Sequence, residues 1–197
     1  MVAAQQVEEH LSGKCVGIAG AGGLGSNCAA ALIRAGVGKV VIADFDTVSP
    51  SNLNRQFYFA DQIGMNKVEA LYDNLIRIRP FVALSIHPVR VTPQNMALLF
   101  AGCDVVVEAF DKAEEKAWLI QEMCRQLPDT PLVAASGMAG YGLLHKLQVI
   151  RQGNLFVCGD GVSEVSVETP PLAPRVGIVA CMEADVVLEL LFRKHCL

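Results

Sequence analysis

Residues 15–35 read CVGIAGAGGLGSNCAAALIRA, and this stretch decides the fold. A short apolar run leads into four closely spaced glycines and then into an alanine-rich run, which predicts a strand, a tight turn and a helix. Gly20, Gly22 and Gly25 have the spacing of a dinucleotide-binding fingerprint. In that geometry Gly20 takes the turn, Gly22 lets phosphate oxygens approach the backbone, and Gly25 lets the helix pack on the sheet. The motif alone is a weak signal, and the alternative is a glycine turn that only packs a helix on a strand.

Short β-rich runs alternate with longer helical ones along most of the chain. Such alternation indicates βαβ units, and continuously apolar runs indicate strands that helices cover on both faces. We therefore predict an α/β fold with a doubly wound, mostly parallel, Rossmann-like sheet. The predicted strands are 14–19, 39–44, 82–89, 104–108 and 132–136, and the predicted helices are 25–35, 61–78, 93–101 and 112–126.

The pattern changes after residue 136. We predict another strand over 145–150, an irregular segment over 153–174 and a closing helix over 177–194. The segment 153–174 is too long for a passive connection in a compact domain, so we expect it to be a crossover, lid or partner-binding loop. The length of the chain suits one domain over residues 1–197.

The overall composition excludes several function classes. With 16 basic against 20 acidic residues, the chain has no charge excess that would hold nucleic acid or an anionic membrane non-specifically. The seven cysteines form an odd set without metal-finger spacing, which indicates reduced thiols in a cytosol. Residues 15–33 carry no charge, but their five glycines would weaken a membrane-spanning helix. We predict a cytoplasmic protein without a membrane span.

An acidic residue ends the second predicted strand. Asp44 lies 19 residues after Gly25, where a carboxylate can accept hydrogen bonds from both hydroxyl groups of a ribose. The alternative is that Asp44 only caps the end of the strand. A ribose would be supplied equally well by NAD or by ATP, so both ligands stay open at this point.

The residues that follow the ribose-binding strand favour ATP. Residues 44–56 read DFDTVSPSNLNRQ, a concentration of carboxylates, amides and a guanidinium for which a nicotinamide enzyme has no evident use. We expect Arg55 to neutralise triphosphate charge, with Asn52 and Gln56 orienting phosphate oxygens. Lys67 adds a second cation near the same region. The alternative is that both cations are ordinary surface residues.

Asp111 follows the fourth predicted strand and so lies at the carboxyl end of the sheet, where ligands of open α/β folds bind. A carboxylate beside a triphosphate suits Mg²⁺, which is usually held by one or two carboxylates, phosphate oxygens and water. The alternative is that Asp111 caps the amino terminus of the next helix, and the two roles are compatible.

Together these motifs resemble those of the ThiF/MoeB family of adenylyltransferases, which are relatives of ubiquitin-activating enzymes. The resemblance runs from about Leu11 to the last predicted helix, and the length is similar to that of the short ThiF-like branch. It is carried by Gly-x-Gly-Gly-Leu-Gly-Ser at 20–26, Asp-x-Asp at 44–46, Ser-Asn-Leu-Asn-Arg-Gln at 51–56, Lys67, Asp111 and Ala-Pro-Arg-Val-Gly-Ile-Val-Ala at 173–180.

The resemblance implies a reaction of a small ubiquitin-fold sulfur-carrier protein that ends in Gly-Gly. Its C-terminal carboxylate attacks the α-phosphate of ATP and gives an acyl-adenylate and pyrophosphate. We expect a homodimer that serves thiamine thiazole synthesis. By position, the resemblance assigns phosphate binding to Gly20, Gly22, Gly23 and Gly25, ribose binding to Asp44, and further ATP contacts to Asp46, Asn52, Arg55, Gln56 and Lys67. It assigns Mg²⁺ binding to Asp111. Catalysis by positioning and charge neutralisation falls to Arg55, Lys67 and Asp111.

The sequence departs from the family pattern at three points. Larger relatives carry two Cys-x-x-Cys pairs for structural zinc, this chain has none, and we predict no zinc. Many relatives place a nucleophilic cysteine before the closing helix, but residues 168–172 contain no thiol. Cys158 is the remaining loop candidate, although a free cysteine is more often a small buried hydrophobe. Family dimers often use an N-terminal arginine of the neighbouring subunit, whereas no arginine precedes Arg34 here.

Two other functions remain open from the sequence. The same ATP site would serve adenylation of another acyl group, on a molybdopterin carrier or on a tRNA-base carboxylate. A non-catalytic module that holds a nucleotide or a carrier without turnover is the third hypothesis. The leading hypothesis involves neither nucleic acid nor a membrane.

Overall fold

The computed structural model describes residues 2–193, with side chains from residue 5 to residue 192. Seven strands occur in this part of the chain. In chain order they are β1 (Cys15–Ala19), β2 (Lys39–Ala43), β3 (Ala83–His87), β4 (Val105–Glu108), β5 (Leu132–Ala135), β6 (Gln148–Gln152) and β7 (Leu155–Gly159).

All seven strands belong to one sheet in the order β3-β2-β1-β4-β5-β7-β6. Neighbouring strands are parallel except β6 and β7, which form an antiparallel pair at one edge. The structure confirms the predicted doubly wound, mostly parallel sheet. The strand order reverses between β1 and β4, and the carboxyl ends of strands at such a switch point usually form the ligand crevice of an open α/β sheet.

Six α-helices occur in the described residues: α1 (Val2–Ser12), α2 (Gly23–Ala35), α3 (Lys67–Ile78), α4 (Met96–Phe100), α5 (Ala113–Gln126) and α6 (Ala173–Arg193). Buried side chains of α2, α3 and α6 pack on one face of the sheet, and those of α4 and α5 pack on the other. In β4, Val105 and Val107 join the first cluster and Val106 joins the second, which explains why three valines follow one another before Glu108. No helix in the described part of the chain is long and apolar enough to cross a membrane.

The predicted irregular segment 153–174 contains a strand, so this prediction is wrong for its first part. Its residues 155–159 form β7, the antiparallel partner of β6. The register of the two strands leaves Gly153 and Asn154 as a two-residue hairpin turn, in which Gly153 adopts a positive φ of 59°. The Gly-Asn pair between two β-rich runs is the sequence signal for this hairpin. The part without regular structure is residues 160–172, which we name the crossover segment.

The predicted helix 61–78 is shorter in the structure and begins at Lys67. Gly64 adopts a φ of 92°, in the left-handed region that favours glycine, and this conformation interrupts a right-handed helix. The residues before it, Ala60–Gln62, form a separate 3₁₀ turn. Lys67 therefore occupies the first position of α3.

The other predicted elements differ at their ends. The closing helix begins at Ala173 rather than at 177, because a proline is tolerated in the first turn and Pro174 lies there. Its predicted end at residue 194 lies outside the described residues. Helix α4 is shorter than predicted, β6 begins three residues later than the predicted strand 145–150, and α1 has no predicted counterpart.

Candidate functional site

A cleft of about 360 Å³ opens at the carboxyl ends of β1, β2 and β4, at the switch point of the sheet. Three of the twelve predicted site residues, Gly25, Asn52 and Cys158, do not line it. The fold brings the other nine together around one cavity: Gly20, Gly22, Gly23, Asp44, Asp46, Arg55, Gln56, Lys67 and Asp111.

The glycines of the loop after β1 differ in what surrounds them. Gly20 has a φ of 105°, and a Cβ there would lie 2.8 Å from the carbonyl oxygen of Ala109. A Cβ at Gly25 would lie 1.9 Å from the carbonyl oxygen of Gly20, which no side chain tolerates. At Gly22 the nearest atom would be Nε2 of Gln56 at 3.9 Å. Gly20 and Gly25 thus have steric roles within the fold, whereas Gly22 leaves the loop backbone open to the cleft.

Asp44 follows β2 and fastens the glycine loop to the end of that strand. One carboxylate oxygen, Oδ2, accepts a hydrogen bond of 2.6 Å from the backbone N–H of Ala21, and Oδ1 accepts one of 2.8 Å from the N–H of Asp46. Each carboxylate oxygen has two lone pairs, so both can accept a second bond from a ribose hydroxyl. Asp44 combines this structural role with the geometry expected of a ribose ligand.

Two further residues hold the glycine loop, and neither was among the predicted site residues. The Ser26 hydroxyl donates to the carbonyl of Gly22 at 2.6 Å and accepts from the backbone N–H of Phe57 at 3.0 Å. The Tyr58 hydroxyl donates to the carbonyl of Ala21 at 2.6 Å. Burial, and secondarily two nearby carboxylates, raise the pKa of this phenol, so it stays a donor. No local sequence signal marks the bond between Ser26 and Phe57 or the bond between Tyr58 and Ala21, because their partners lie 31 and 37 positions apart in the chain.

Arg55 is oriented by its own loop. Its Nη1 donates to the carbonyl of Ser51 at 3.0 Å and to the side chain of Asn54 at 2.8 Å. Asn27, which the sequence did not single out, donates from its amide both to the carbonyl of Gly23 at 2.7 Å and to that of Arg55 at 2.9 Å. These two hydrogen bonds of Asn27 connect the first turn of α2 to the Arg55 loop and so set the distance between the glycines and the guanidinium.

Lys67 and Asp46 form a salt bridge of 2.8 Å on the wall of the cleft. The Lys67 side chain is 8% exposed and that of Asp46 is 49% exposed, so the ammonium is desolvated while its partner stays in contact with water. A phosphate that enters the cleft can replace or share this partner at little cost, because the exposed carboxylate is readily rehydrated. The pair holds the Lys67 cation at the site before a ligand binds.

Gln56 carries an unsatisfied buried atom at the cleft. Its Oε1 is buried and has no hydrogen-bond partner among the described residues, and the side chain lies beside Gly22. Buried side-chain polar atoms are almost always hydrogen-bonded, and the oxygen of the Gln56 amide is an exception. The amide nitrogen of Gln56 is the atom nearest to Gly22, so it can donate a hydrogen bond to an anion in the cleft.

Asp111 is exposed at the rim of the cleft, after β4. The residue at the helix-capping position of α5 is Lys112, with no side-chain capping bond, so the alternative that Asp111 caps this helix is wrong. The turn before it is held by Glu108, which is fully buried, accepts from the N–H of Phe110 at 2.7 Å and pairs with Lys116. Among the described residues, no three His, Cys, Asp or Glu side chains cluster as a metal site. Mg²⁺ is usually held by one or two carboxylates together with phosphate oxygens and water, so a single carboxylate such as Asp111 is compatible with a cation that a phosphate brings.

Asn52 and Cys158 have surroundings that differ from those expected. The Asn52 side chain accepts a hydrogen bond of 3.0 Å from the N–H of Ser49 and so closes a 3₁₀ turn, Pro50–Asn52. Cys158 lies in strand β7 and is completely buried, so the prediction that it lies in a loop is wrong. Burial raises the pKa of the Cys158 thiol to about 12, which leaves almost no reactive thiolate at neutral pH.

The cleft has a second, less polar end that the sequence did not reveal. Arg90 lies with its guanidinium carbon 3.7 Å from the centre of the Phe45 ring and donates to Glu115 at 2.7 Å. Val89 and Val91 line the same end. A flat wall of aromatic, guanidinium and aliphatic groups suits a planar heterocycle, since such surfaces stack on π systems. The cleft thus offers cations and open backbone on one side and a stacking surface on the other.

Sequence comparisons find similar proteins along nearly the whole chain. The ThiF family model matches residues 2–196. Ubiquitin-like modifier-activating enzyme 5 of Caenorhabditis elegans is 42% identical over 183 residues, which cover 86% of this chain and 41% of that protein. The adenylyltransferase and sulfurtransferase UBA4 of Candida glabrata is 33% identical over 181 residues, which cover 88% of this chain and 41% of that protein. The chain thus spans about two fifths of the length of these curated relatives.

Solved structures share the fold. The tRNA N6-threonylcarbamoyladenosine dehydratase of E. coli in complex with AMP superposes with a TM-score of 0.87 at 22% identity, covering 98% of this chain and 91% of that one. The same protein in complex with ATP superposes with a TM-score of 0.83 at 23% identity and the same coverage. At such identities the likeness concerns the fold alone. The match of the family model over residues 2–196, with the glycine loop and its partners in one cleft, shows that this chain belongs to the ThiF family.

Proposed function

We propose that the cleft binds ATP together with Mg²⁺ and that the chain adenylates the C-terminal carboxylate of a small ubiquitin-fold sulfur-carrier protein ending in Gly-Gly. The named activities of the relatives support this proposal, since one is a ubiquitin-like modifier-activating enzyme and another an adenylyltransferase. The structural neighbour with AMP or ATP supports a nucleotide as the ligand.

The observation that carries the proposal is the unsatisfied Gln56 amide beside the open backbone of Gly22. The amide nitrogen of Gln56 is the atom nearest to Gly22, and it would donate to a phosphate oxygen bound at this backbone. Arg55 and Lys67 line the same cavity and supply the positive charge that a triphosphate requires. Asp44 would accept the ribose hydroxyls, and the surface of Phe45 and Arg90 would stack on the adenine.

The reaction we propose is a displacement at the α-phosphorus. A carboxylate oxygen of the carrier forms a bond to the α-phosphorus, the bond from this phosphorus to the bridging oxygen breaks, and pyrophosphate leaves with the electron pair. Bound Mg²⁺ would neutralise phosphate oxygens as a Lewis acid, and Asp111 would hold it. Arg55, Lys67 and the N–H groups of the glycine loop would then hold the phosphates in line with the incoming carboxylate, which is catalysis by positioning and electrostatics.

The identity of the acyl group is the part of the proposal with an open alternative. We propose a carrier of thiamine thiazole synthesis. The fold of a tRNA dehydratase covers 98% of this chain, which favours the alternative of a tRNA-base carboxylate, and a molybdopterin carrier would use the same cleft. A non-catalytic module that binds the nucleotide without turnover is the remaining alternative. We further propose that the protein is a cytoplasmic homodimer, which its mass in solution measured by light scattering would test.

The test is ATP–pyrophosphate exchange with purified candidate acyl acceptors. We expect exchange only with a carrier that ends in Gly-Gly, and a loss of at least about 100-fold in Arg55→Ala and Asp111→Ala, as is typical when a charge-stabilising group is removed. Arg151→Ala is the control, because Arg151 pairs with Glu189 on the surface and does not line the cleft. Exchange that depends on tRNA would select the alternative acyl acceptor. Calorimetric ATP binding without exchange on any acceptor would select the non-catalytic module.

A further inference from the structure

Two thiols lie side by side at the edge of the sheet opposite the cleft. Cys15 is the first residue of β1, and Cys103 lies two residues before β4. Their Sγ atoms are 3.7 Å apart and share a hydrogen bond. Cys15 is half-buried and Cys103 is 7% exposed, so the pair can be reached from solvent through Cys15.

The backbones on either side of the pair are fixed to each other. The N–H of Cys15 donates to the Asp104 carboxylate at 2.9 Å, and the N–H of Asp104 donates to the carbonyl of Cys15 at 2.7 Å. A disulfide requires an S–S distance of about 2.05 Å, so the sulfurs must approach by roughly 1.7 Å. Gly102 precedes Cys103 in a turn, and a Cβ added there would meet no atom within 4 Å, so we expect room for the side-chain rotation and small movement of the turn that this approach requires.

We propose that Cys15 and Cys103 are a thiol modification site that a hydroperoxide converts into a reversible intramolecular disulfide. The site serves neither the nucleotide nor the acyl acceptor. It follows from the proximity of two thiols on neighbouring strands, one of which is accessible.

The chemistry proceeds in two balanced steps. The Cys15 thiolate attacks one peroxide oxygen, the O–O bond breaks, and the leaving oxygen takes up a proton, which gives a sulfenic acid and water from hydrogen peroxide. The Cys103 sulfur then attacks the Cys15 sulfur, its proton goes to the departing hydroxide, and a second water leaves. The two thiols are oxidised and the peroxide is reduced. The hydrogen bond between Cys15 and Cys103 lowers the pKa of the Cys15 thiol against the opposing effect of burial, and Cys15 is also the more exposed of the two, so Cys15 is the first nucleophile.

We expect the disulfide to change the stability of the protein rather than its chemistry at the cleft. β1 leads into the glycine loop and β4 leads into the Asp111 loop, so the disulfide would lock the two strands that carry opposite walls of the cleft. It would form at the amino ends of these strands, one strand length away from the cleft. We therefore expect the oxidised protein to bind ATP as the reduced protein does and to unfold at a higher denaturant concentration, because the link restricts the unfolded chain.

The experiment uses a full-length variant in which Cys124, Cys181 and Cys196 are serine, which removes the two exposed thiols of α5 and α6 and the one near the C-terminus. The reduced variant is treated with hydrogen peroxide, quenched, denatured and digested without reductant. We expect a mass loss of about 2 Da, a peptide that joins Cys15 to Cys103, and reversal of both by dithiothreitol. With Cys103→Ser added, the mass loss should disappear and dimedone should trap a sulfenic acid at Cys15. Cys28→Ala, a change at a buried thiol remote from the pair, should leave the linked peptide intact.

The proposal is overturned if peroxide consumes the thiols without a peptide joining Cys15 and Cys103, or if the linked pair is Cys28 and Cys158 instead. It is also overturned if dimedone labels Cys15 equally with and without Cys103, since the second thiol would then not resolve the sulfenic acid. If Cys103→Ser does not fold, Cys103→Ala is used for the same measurement. None of these readouts involves ATP or an acyl acceptor, so their failure is independent of the proposed adenylation.

Discussion

Arg175 and Asp160 form an ion pair of 2.6 Å whose side chains are only 4% and 6% exposed, and it fastens the start of α6 to the crossover segment. Arg175 also donates to the carbonyl of Gly142. Asp160 in turn accepts from the N–H groups of Val162 and Ser163 at 3.0 and 2.8 Å. One buried contact therefore holds two irregular segments and a helix together.

This contact supports one wall of the cleft. Met138, Val165 and Pro171 line the cleft from the two segments that Arg175 joins. We expect Arg175→Ala to lower the free energy of unfolding by about 3 kcal/mol, because the change leaves Asp160 as a buried unpaired carboxylate. Urea unfolding measures the loss. Arg151→Ala, which breaks an exposed ion pair to the same helix, should cost less than about 1 kcal/mol. If both variants lost the same free energy of unfolding, the buried ion pair would contribute no more to stability than the exposed one.

Two glycines at helix positions should respond to alanine in opposite directions. A Cβ at Gly25 would lie 1.9 Å from the carbonyl oxygen of Gly20, so Gly25→Ala should destabilise the fold by about 3 kcal/mol. Gly177 lies within α6 with no atom within 4 Å of its would-be Cβ, so Gly177→Ala should stabilise by up to about 1 kcal/mol through helix propensity. Thermal unfolding of both variants checks the pair. A harmless Gly25→Ala would contradict the close packing of α2 on the loop.

Gln56 should matter to the ligand and not to the unliganded fold. Because its Oε1 has no partner among the described residues, Gln56→Leu should not lower the free energy of unfolding without nucleotide. Loss of a hydrogen bond to a charged phosphate should raise the Kd for ATP by roughly 10-fold or more. Gln62→Leu is the matched control: its amide is buried and bonded to Asn74 and Ala70, so stability should fall while the Kd stays unchanged. Calorimetry and urea unfolding separate the two patterns, and an unchanged Kd in Gln56→Leu would reject the ligand role.

Glu183 makes the stability depend on pH. Burial, and then the neighbouring Glu108, raise the pKa of this carboxyl against the effect of Lys116, and both its oxygens lack partners among the described residues. A raised folded-state pKa contributes stability below the unfolded pKa of about 4.3, and this stability is lost as the pH rises towards the folded value. Glu183→Gln should therefore resemble the wild type near pH 4 and exceed it by more than about 1 kcal/mol at pH 8.

The measurement for this prediction is urea unfolding at several pH values between these limits. Glu189→Gln is the control in the same helix, because Glu189 pairs with Arg151 at a partly exposed position. It should show no comparable gain at high pH. A Glu183→Gln variant that loses stability at pH 8 would mean that the ionised carboxylate is accommodated by its surroundings.

Much of the cleft could be predicted because its residues follow strand ends. Gly20 and Asp44 come directly after β1 and β2, Asp111 lies three residues after the end of β4, and parallel strands bring their carboxyl ends to the same edge of a sheet. The residues that hold these groups could not be predicted in the same way. Asn27 and Tyr58 donate to backbone carbonyls of segments remote in sequence, and Ser26 accepts from a remote backbone N–H. The sequence around each of these residues therefore does not predict the contact.

The amino-acid sequence by itself determined the βαβ alternation, the doubly wound sheet and the position of the glycine turn, because side-chain periodicity and glycine spacing act over a few residues. Only the tertiary structure decided which groups meet across the chain. The parallel pairing of β7 with β5, the stacking of Arg90 on Phe45 and the proximity of Cys15 to Cys103 depend on which strands and loops become neighbours. Which strands become neighbours depends on burying both faces of the sheet at the same time. This requirement involves the whole chain, so no single segment of sequence can determine it.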